Sequence, residues 1–168
     1  MLKSRLIPCI IAKEELVVQS FNFKRYLPIG NIKTAIEFFV KWDVDEIIIL
    51  DITATKDKRR PNFSLIEWAA SDCFVPLTIG GGISSLEDIR SLLNAGADKV
   101  AINTAAIKKP LLLSEAAKKF GSQCIVSSIQ AKKIGNKKWE VYIDSGREKT
   151  SIDVVSWAKK VQRLGVGE

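Results

Sequence analysis

Five short apolar runs, at residues 6–11, 46–52, 75–79, 99–102 and 124–129, alternate with longer stretches whose apolar residues recur at helical spacing. This alternation restricts the chain more than any other feature. Near-continuous apolar strands are covered on both faces, as in a parallel sheet with helices outside it. In segment 31–42 the residues Ile32, Ala35, Ile36, Phe39 and Val40 fall on one helical stripe, and Ile89, Leu92 and Leu93 do the same in 86–94. Gly96, Gly121 and Gly165 follow the segments 86–94, 112–120 and 152–164, where helix stops are expected. Residues 132–149, with Gly135-Asn136 and alternating Trp139, Val141 and Ile143, read as a hairpin inserted after the fifth strand. The expectation is one α/β domain over residues 1–168, with five strands, about five helices and a sixth strand opening at 166–168. An open doubly wound sheet can stop there. An eight-unit barrel cannot close there, so its first and fifth strands are expected to be exposed edges.

The run Val75-Pro76-Leu77-Thr78-Ile79-Gly80-Gly81-Gly82-Ile83 joins a buried strand to three glycines and then to a helix start at Ser84-Ser85-Leu86-Glu87. Residues without side chains let consecutive N–H groups face one anion, and the capped helix start adds positive potential. A second half-site follows at Ala101-Ile102-Asn103-Thr104. The alternative is that the glycines only permit tight strand–helix packing.

Composition removes whole classes of chemistry. The chain has no histidine, which excludes imidazole bases, triads and metal sites. Cys9, Cys73 and Cys124 lack metal-ligand spacing and read as buried reduced thiols. No metal or cofactor is expected. A net charge of +7 suits phosphorylated ligands or an acidic partner. The cations are dispersed (Lys56, Lys58, Arg59, Arg60, Lys118, Lys119, Lys159, Lys160) without interleaved aromatics, so a nucleic-acid face is not expected. No apolar stretch approaches the roughly 18 residues of a membrane helix. Residues 1–8 lack a signal-peptide pattern, which suggests a cytoplasmic address.

Several motifs in order resemble one family. Arg5-Leu6-Ile7-Pro8-Cys9, Asn22-Phe23-Lys24, Leu50-Asp51-Ile52-Thr53-Ala54, the glycine run, Ala97-Asp98-Lys99-Val100, Ile102-Asn103-Thr104-Ala105-Ala106 and Phe120-Gly121-Ser122-Gln123-Cys124 look like the cyclase subunit of imidazole glycerol phosphate synthase. The resemblance implies a (β/α)8 TIM-type barrel of about 250 residues, of which this chain carries the first five units. It also implies a cyclase that takes ammonia from a glutaminase partner and acts on a phosphorylated nucleotide in histidine biosynthesis. By the same resemblance, Gly82, Asn103 and Thr104 bind a substrate phosphate. Arg5, Glu46, Lys99 and Glu168 form a charged gate on the ammonia path, and Asp98 meets the glutaminase.

Two departures bear on activity. The family's general acid and base are carboxylates on the first and fifth strands, and here Ile11 and Gln130 stand in those places. Neither can titrate. A loop lysine is replaced by Gln19, while Asp51 remains as a barrel-end carboxylate, either structural or a surrogate acid or base. A related branch lacking the first-strand aspartate is associated with acetamidino modification of bacterial surface sugars, where such a protein works with a glutaminase. Segments 18–24 and 61–67 resemble that branch, whereas Gln130 departs from it too. The readings are therefore a divergent paralogue with weakened or lost cyclase chemistry, a non-catalytic glutaminase partner, or a degenerate C-terminally shortened fragment prone to dimerise or aggregate.

Overall fold

A computed structural model describes residues 4–14, 16–57 and 59–168. Residues 1–3 and Lys58, used above in reading the terminus and the turn cations, lie outside the described residues. In chain order the elements are β1 (Cys9–Lys13), β2 (Leu16–Phe21), β3 (Arg25–Asn31), α1 (Ile32–Lys41), β4 (Ile47–Asp51), α2 (Phe63–Asp72), β5 (Leu77–Gly80), α3 (Leu86–Asn94), β6 (Lys99–Ile102), α4 (Thr104–Lys108), α5 (Leu111–Phe120), a 3-10 turn (Ser122–Cys124), β7 (Ile125–Ser127), β8 (Gln130–Gly135), β9 (Lys138–Ile143), β10 (Glu148–Asp153) and α6 (Val154–Arg163).

The expected parallel sheet is present. β1, β4, β5, β6 and β7 pair in parallel in that order, and the strand–helix alternation is that of a partial TIM-type barrel. Val100, Ala101 and Ile102 are buried in succession, as are Leu77, Thr78 and Ile79, because both sheet faces are covered. The helices contribute Ile32, Ile36, Ile89, Leu92, Leu113 and Ala116 to the same core. Each fully buried aliphatic side chain stabilises the fold by about 1.5–3 kcal/mol relative to exposure.

Local chemistry fixes the ends of α3. Ser85 is the N-cap, its side chain accepts from the Asp88 N–H, and the Asp88 carboxylate accepts from the Ser85 N–H. The reciprocal partner is thus Asp88 and not Glu87, one residue later than the expected Ser84–Glu87 spacing. Gly96 ends the helix at φ +104°, a conformation that glycine adopts without a side-chain penalty.

Four expectations need correction. First, β2 and β3 form an antiparallel hairpin after β1, where no strands were expected. Its three-residue loop, 22–24, holds both Asn22 and Phe23 at positive φ, closed by the Lys24 N–H on the Phe21 carbonyl at 3.0 Å. That geometry normally advertises itself through glycine, not phenylalanine. Second, the insertion after the fifth parallel strand is a three-stranded meander, β8-β9-β10, instead of a hairpin. β10 holds one apolar residue, Ile152, so no apolar alternation marks it, and its register on β9 shifts between Lys149 and Asp153, where Ser151 has positive φ and its N–H reaches the buried Glu140 carboxylate.

Third, the first strand is not the sheet's edge. Ala12 and Lys13 pair with Val17 and Leu16, which moves the edge out to β3. On the opposite side the Glu168 N–H reaches the Ile125 carbonyl and the Ser127 N–H reaches the Glu168 carbonyl, so the residues expected to open a sixth strand do pair with β7. Fourth, the three thiols are unpaired but not all buried, since Cys9 is exposed and Cys73 and Cys124 are half-buried. Among the described residues, no helix is long and apolar enough to cross a membrane.

Candidate functional site

The parallel strands have two ends, and the residues singled out from the sequence divide between them. At the N-terminal ends stand Arg5, Glu46, Lys99 and Glu168, contributed by four separate parts of the chain. Glu46 is only 1% exposed, sitting immediately before β4. One of its oxygens lies 2.8 Å from Lys99 Nζ and 3.5 Å from Arg5, and the other accepts from the Thr78 hydroxyl at 2.7 Å. Glu168 closes the circuit, with Lys99 at 2.9 Å and Arg5 at 3.3 Å. Two cations and two carboxylates therefore alternate around a ring. Burial works against the Lys99 ammonium, but hydrogen bonds to Glu46 and Glu168 outweigh it and raise its pKa. The Lys99 hydrogen bond holds Glu168 below its ordinary range, against an opposing effect of burial and with help from Arg5. Thr78 is a member of this cluster that sequence reasoning missed, because a threonine within an apolar strand carries no signal of a carboxylate opposite.

Asp98 is on the same end. Its carboxylate accepts from the Leu77 N–H at 2.8 Å and its own N–H reaches the Leu77 carbonyl, which ties the start of β6 to the start of β5 while leaving the residue exposed.

At the C-terminal ends, the loop Gly80–Gly82 packs against backbone. A Cβ at Gly81 would lie 2.2 Å from the Asp51 carbonyl oxygen, and one at Gly82 would lie 2.8 Å from the Arg59 carbonyl oxygen. Both glycines also have positive φ. Close packing alone therefore demands them, and the same bareness leaves their backbone open toward a small cavity of about 50 Å³. Gly82, Asn103, Thr104, Ser128 and Gln130 line it. The expected phosphate residues are thus brought together. Their side chains are engaged, however: Asn103 Nδ2 donates to the Tyr142 carbonyl, and Thr104 Oγ1 accepts from the Asp144 N–H. Asn103 consequently provides no side-chain cap for α4, and backbone N–H groups are what the cradle has left to offer.

The meander makes these contacts by folding over the mouth of the strands. Ser145 Oγ donates to the Ile52 carbonyl at 2.9 Å, and Phe23 from the β2–β3 turn packs on Gly146. Lys132 lies over the Phe23 and Tyr142 rings and donates to the Gly146 carbonyl. The two insertions that the sequence hid are the ones that meet here.

Asp51 has a structural setting. Its Oδ1 accepts from the Thr53 N–H, the Thr53 hydroxyl and the Ala54 N–H, while Oδ2 is paired with Arg59 at 2.5 Å. These four donors anchor the carboxylate to the loop that follows β4. Gln130 differs. Its Oε1 is buried and, among the described residues, has no hydrogen-bond partner, and the same holds for Ser127 Oγ nearby in sequence. Buried polar atoms without partners are uncommon and mark places where a ligand or water completes the bonding. Ile11 lies on β1 opposite Leu50 and does not line the cavity, so it supplies bulk without polarity.

The sequence pattern described as "Histidine biosynthesis protein" matches residues 5–168. A Vibrio vulnificus (strain YJ016) chain bearing the name imidazole glycerol phosphate synthase subunit hisF2 is 60% identical over all 168 residues, which span 61% of that relative. Imidazole glycerol phosphate synthase subunits HisF of Bacillus cereus strains G9842 and Q1 are 47% and 48% identical over the same 168 residues, which span 67% of each. The chain thus spans a little over three fifths of the length of the Vibrio relative.

Proposed function

The chain belongs to the histidine biosynthesis protein family, alongside the HisF cyclase subunits of imidazole glycerol phosphate synthase, and from that premise we propose a divergent paralogue that receives ammonia from a glutaminase but has lost ring-closing chemistry of its own. The observation that carries this reading is the contrast between the two ends of the strands. The four-charge ring of Arg5, Glu46, Lys99 and Glu168 is complete, while Ile11 and Gln130 occupy the places of the acid–base pair. Acid–base catalysis needs groups that gain and lose a proton near the working pH, and neither an alkyl chain nor an amide does so.

In this reading the ring is the entry for ammonia, Asp98 lies on the face that meets the glutaminase, and Gly82, Asn103 and Thr104 hold one phosphate of a small cytoplasmic ligand through backbone N–H groups. Gln130 offers that ligand a hydrogen-bonding amide. Replacement of the first-strand aspartate by Ile11 also favours a second reading within the same class, in which the ammonia serves acetamidino modification of a surface sugar.

The test combines two assays. With the phosphorylated nucleotide substrate and an ammonium salt, the protein is expected to form no imidazole product. With a cognate glutaminase, it is expected to co-purify and to raise glutamine hydrolysis. Imidazole formation at the rate of a relative with both aspartates would overturn the loss of chemistry. Failure to bind or stimulate the glutaminase would overturn the partnership.

A further inference from the structure

Beside the small cavity, and sharing Gly82 and Thr104 with it, a larger open cavity of about 500 Å³ lies on the outer side of the same strand ends. Its wall carries four cations, Arg59, Arg60, Lys108 and Lys109, against a single carboxylate, Asp88. That carboxylate is already consumed. Its Oδ2 accepts from the Ser84 N–H and hydroxyl and from the Ser85 N–H, and its Oδ1 faces Arg60 at 3.8 Å. Arg59 is bound to Asp51, yet among the described residues its Nη1 has only the Arg60 carbonyl at 3.4 Å. Among the described residues, Lys108 and Lys109 enter no ion pair, and both are exposed.

Like charges drawn around one concavity repel, and the fold sets only two carboxylates, Asp51 on Arg59 and Asp88 on Arg60, against these four cations, leaving Lys108 and Lys109 without a counter-charge among the described residues. An anion entering the cavity removes that repulsion and exchanges water for charge-assisted hydrogen bonds from two guanidinium groups. A concave site of this size matches the lower part of the range for small-molecule pockets. Because Gly82 and Thr104 belong to both cavities, an anion in the outer one is adjacent to an anion in the inner one. We infer that the outer cavity is a second anion subsite, and that the protein's ligand carries two neighbouring phosphate-type groups, as in a diphosphate, one on the glycine cradle and one among Arg59, Arg60, Lys108 and Lys109. The inference rests on the phosphate reading of the cradle and extends it to the class of ligand.

Calorimetric titration of the full chain with inorganic pyrophosphate and with orthophosphate, at low ionic strength, tests it. Pyrophosphate is expected to bind at least tenfold more tightly than orthophosphate. The double variant Lys108→Gln/Lys109→Gln, altered only at exposed positions, is expected to lose at least fivefold in pyrophosphate affinity and less than twofold in orthophosphate affinity. Arg60→Gln is expected to act in the same direction. A charge-matched control, Lys118→Gln/Lys119→Gln on α5, separates the subsite from the overall positive charge and is expected to change neither. Equal affinity for the two anions, absence of binding by both, or an equal loss in the control overturns the proposal. If orthophosphate fails to bind while pyrophosphate binds in a Lys108- and Lys109-dependent way, the cradle reading falls and the outer subsite stands.

Discussion

Lys99 Nζ lies 2.8 Å from Glu46, a carboxylate whose side chain is 2% exposed and whose second oxygen is satisfied by Thr78. A charge this deep is tolerated because each of its oxygens has a partner. Removing it leaves Lys99 half-buried with one carboxylate instead of two and strands the Thr78 hydroxyl. Glu46→Ala is expected to lower stability by about 3–5 kcal/mol. Glu46→Gln, which keeps a hydrogen-bond acceptor for Thr78, should cost less than half of that. Urea unfolding of the two variants checks the order.

Glu168 provides a pH test. Its carboxyl is held below the ordinary range chiefly by the Lys99 hydrogen bond, so the folded state binds a proton less readily than the unfolded chain. The stabilisation is therefore fully present above the unfolded pKa of about 4.3 and is lost as pH falls through the lower folded value. Because the group is partly solvated, Glu168→Gln should cost only about 0.5–1 kcal/mol at pH 7. That difference should close in unfolding measurements at pH 3 and below.

The reciprocal cap of α3 is expected to carry its own share. Ser85→Ala removes the acceptor of the Asp88 N–H and should cost about 1 kcal/mol. Asp88→Ala should cost more, since Ser84 and Ser85 then lose the acceptor they share. Hydrogen bonds from these two serines outweigh burial and lower the Asp88 pKa, so the Asp88 contribution should likewise fade as pH falls through the acid range. Denaturant midpoints at pH 7 and pH 3 read both effects.

Gly81 should be the least tolerant glycine of the loop. Alanine there must accept φ +112° and bring a Cβ to 2.2 Å from the Asp51 carbonyl oxygen, so a loss above about 3 kcal/mol or failure to fold is expected. Gly30→Ala, where a Cβ would meet nothing within 4 Å, is the reference and should stay within about 0.5 kcal/mol of the parent. Thermal unfolding distinguishes the two.

Asn103→Ala should loosen the meander as well as the cradle. It deletes the bond to the Tyr142 carbonyl, worth about 1 kcal/mol. Limited proteolysis should then cut the turn around Asp144–Arg147 faster, while urea midpoints shift only slightly.

The parallel sheet was legible because its strands are apolar on both faces and its helices keep their stripes. Ile32 and Ile36, or Ile89 and Leu92, could be assigned to the core from spacing alone. The charged ring was legible only by resemblance, since nothing local brings Arg5 to Glu168. The insertions over the strand ends were hidden for different reasons. Phe23 occupies a left-handed turn position without the glycine that usually signals one, and β10 holds a single apolar residue, Ile152, so no apolar alternation signals it. The engagement of Asn103 and Thr104 by the meander followed from those misses, because their partners Tyr142 and Asp144 lay in elements read only coarsely.

The ring at the foot of the strands joins residues 5, 46, 99 and 168, and its Arg5–Glu168 contact spans 163 residues of sequence. A contact of that span forms only after the intervening βα units have reached their places, because the entropy of closing so long a loop is met before its bonds are gained. The ring is therefore expected to close late in assembly. Bonds that close after the folding transition state act on the unfolding rate, so Glu168→Gln is expected to leave the folding rate nearly unchanged and to speed unfolding in stopped-flow measurements. What fastens the molecule there is its lifetime once folded, not its route to the fold.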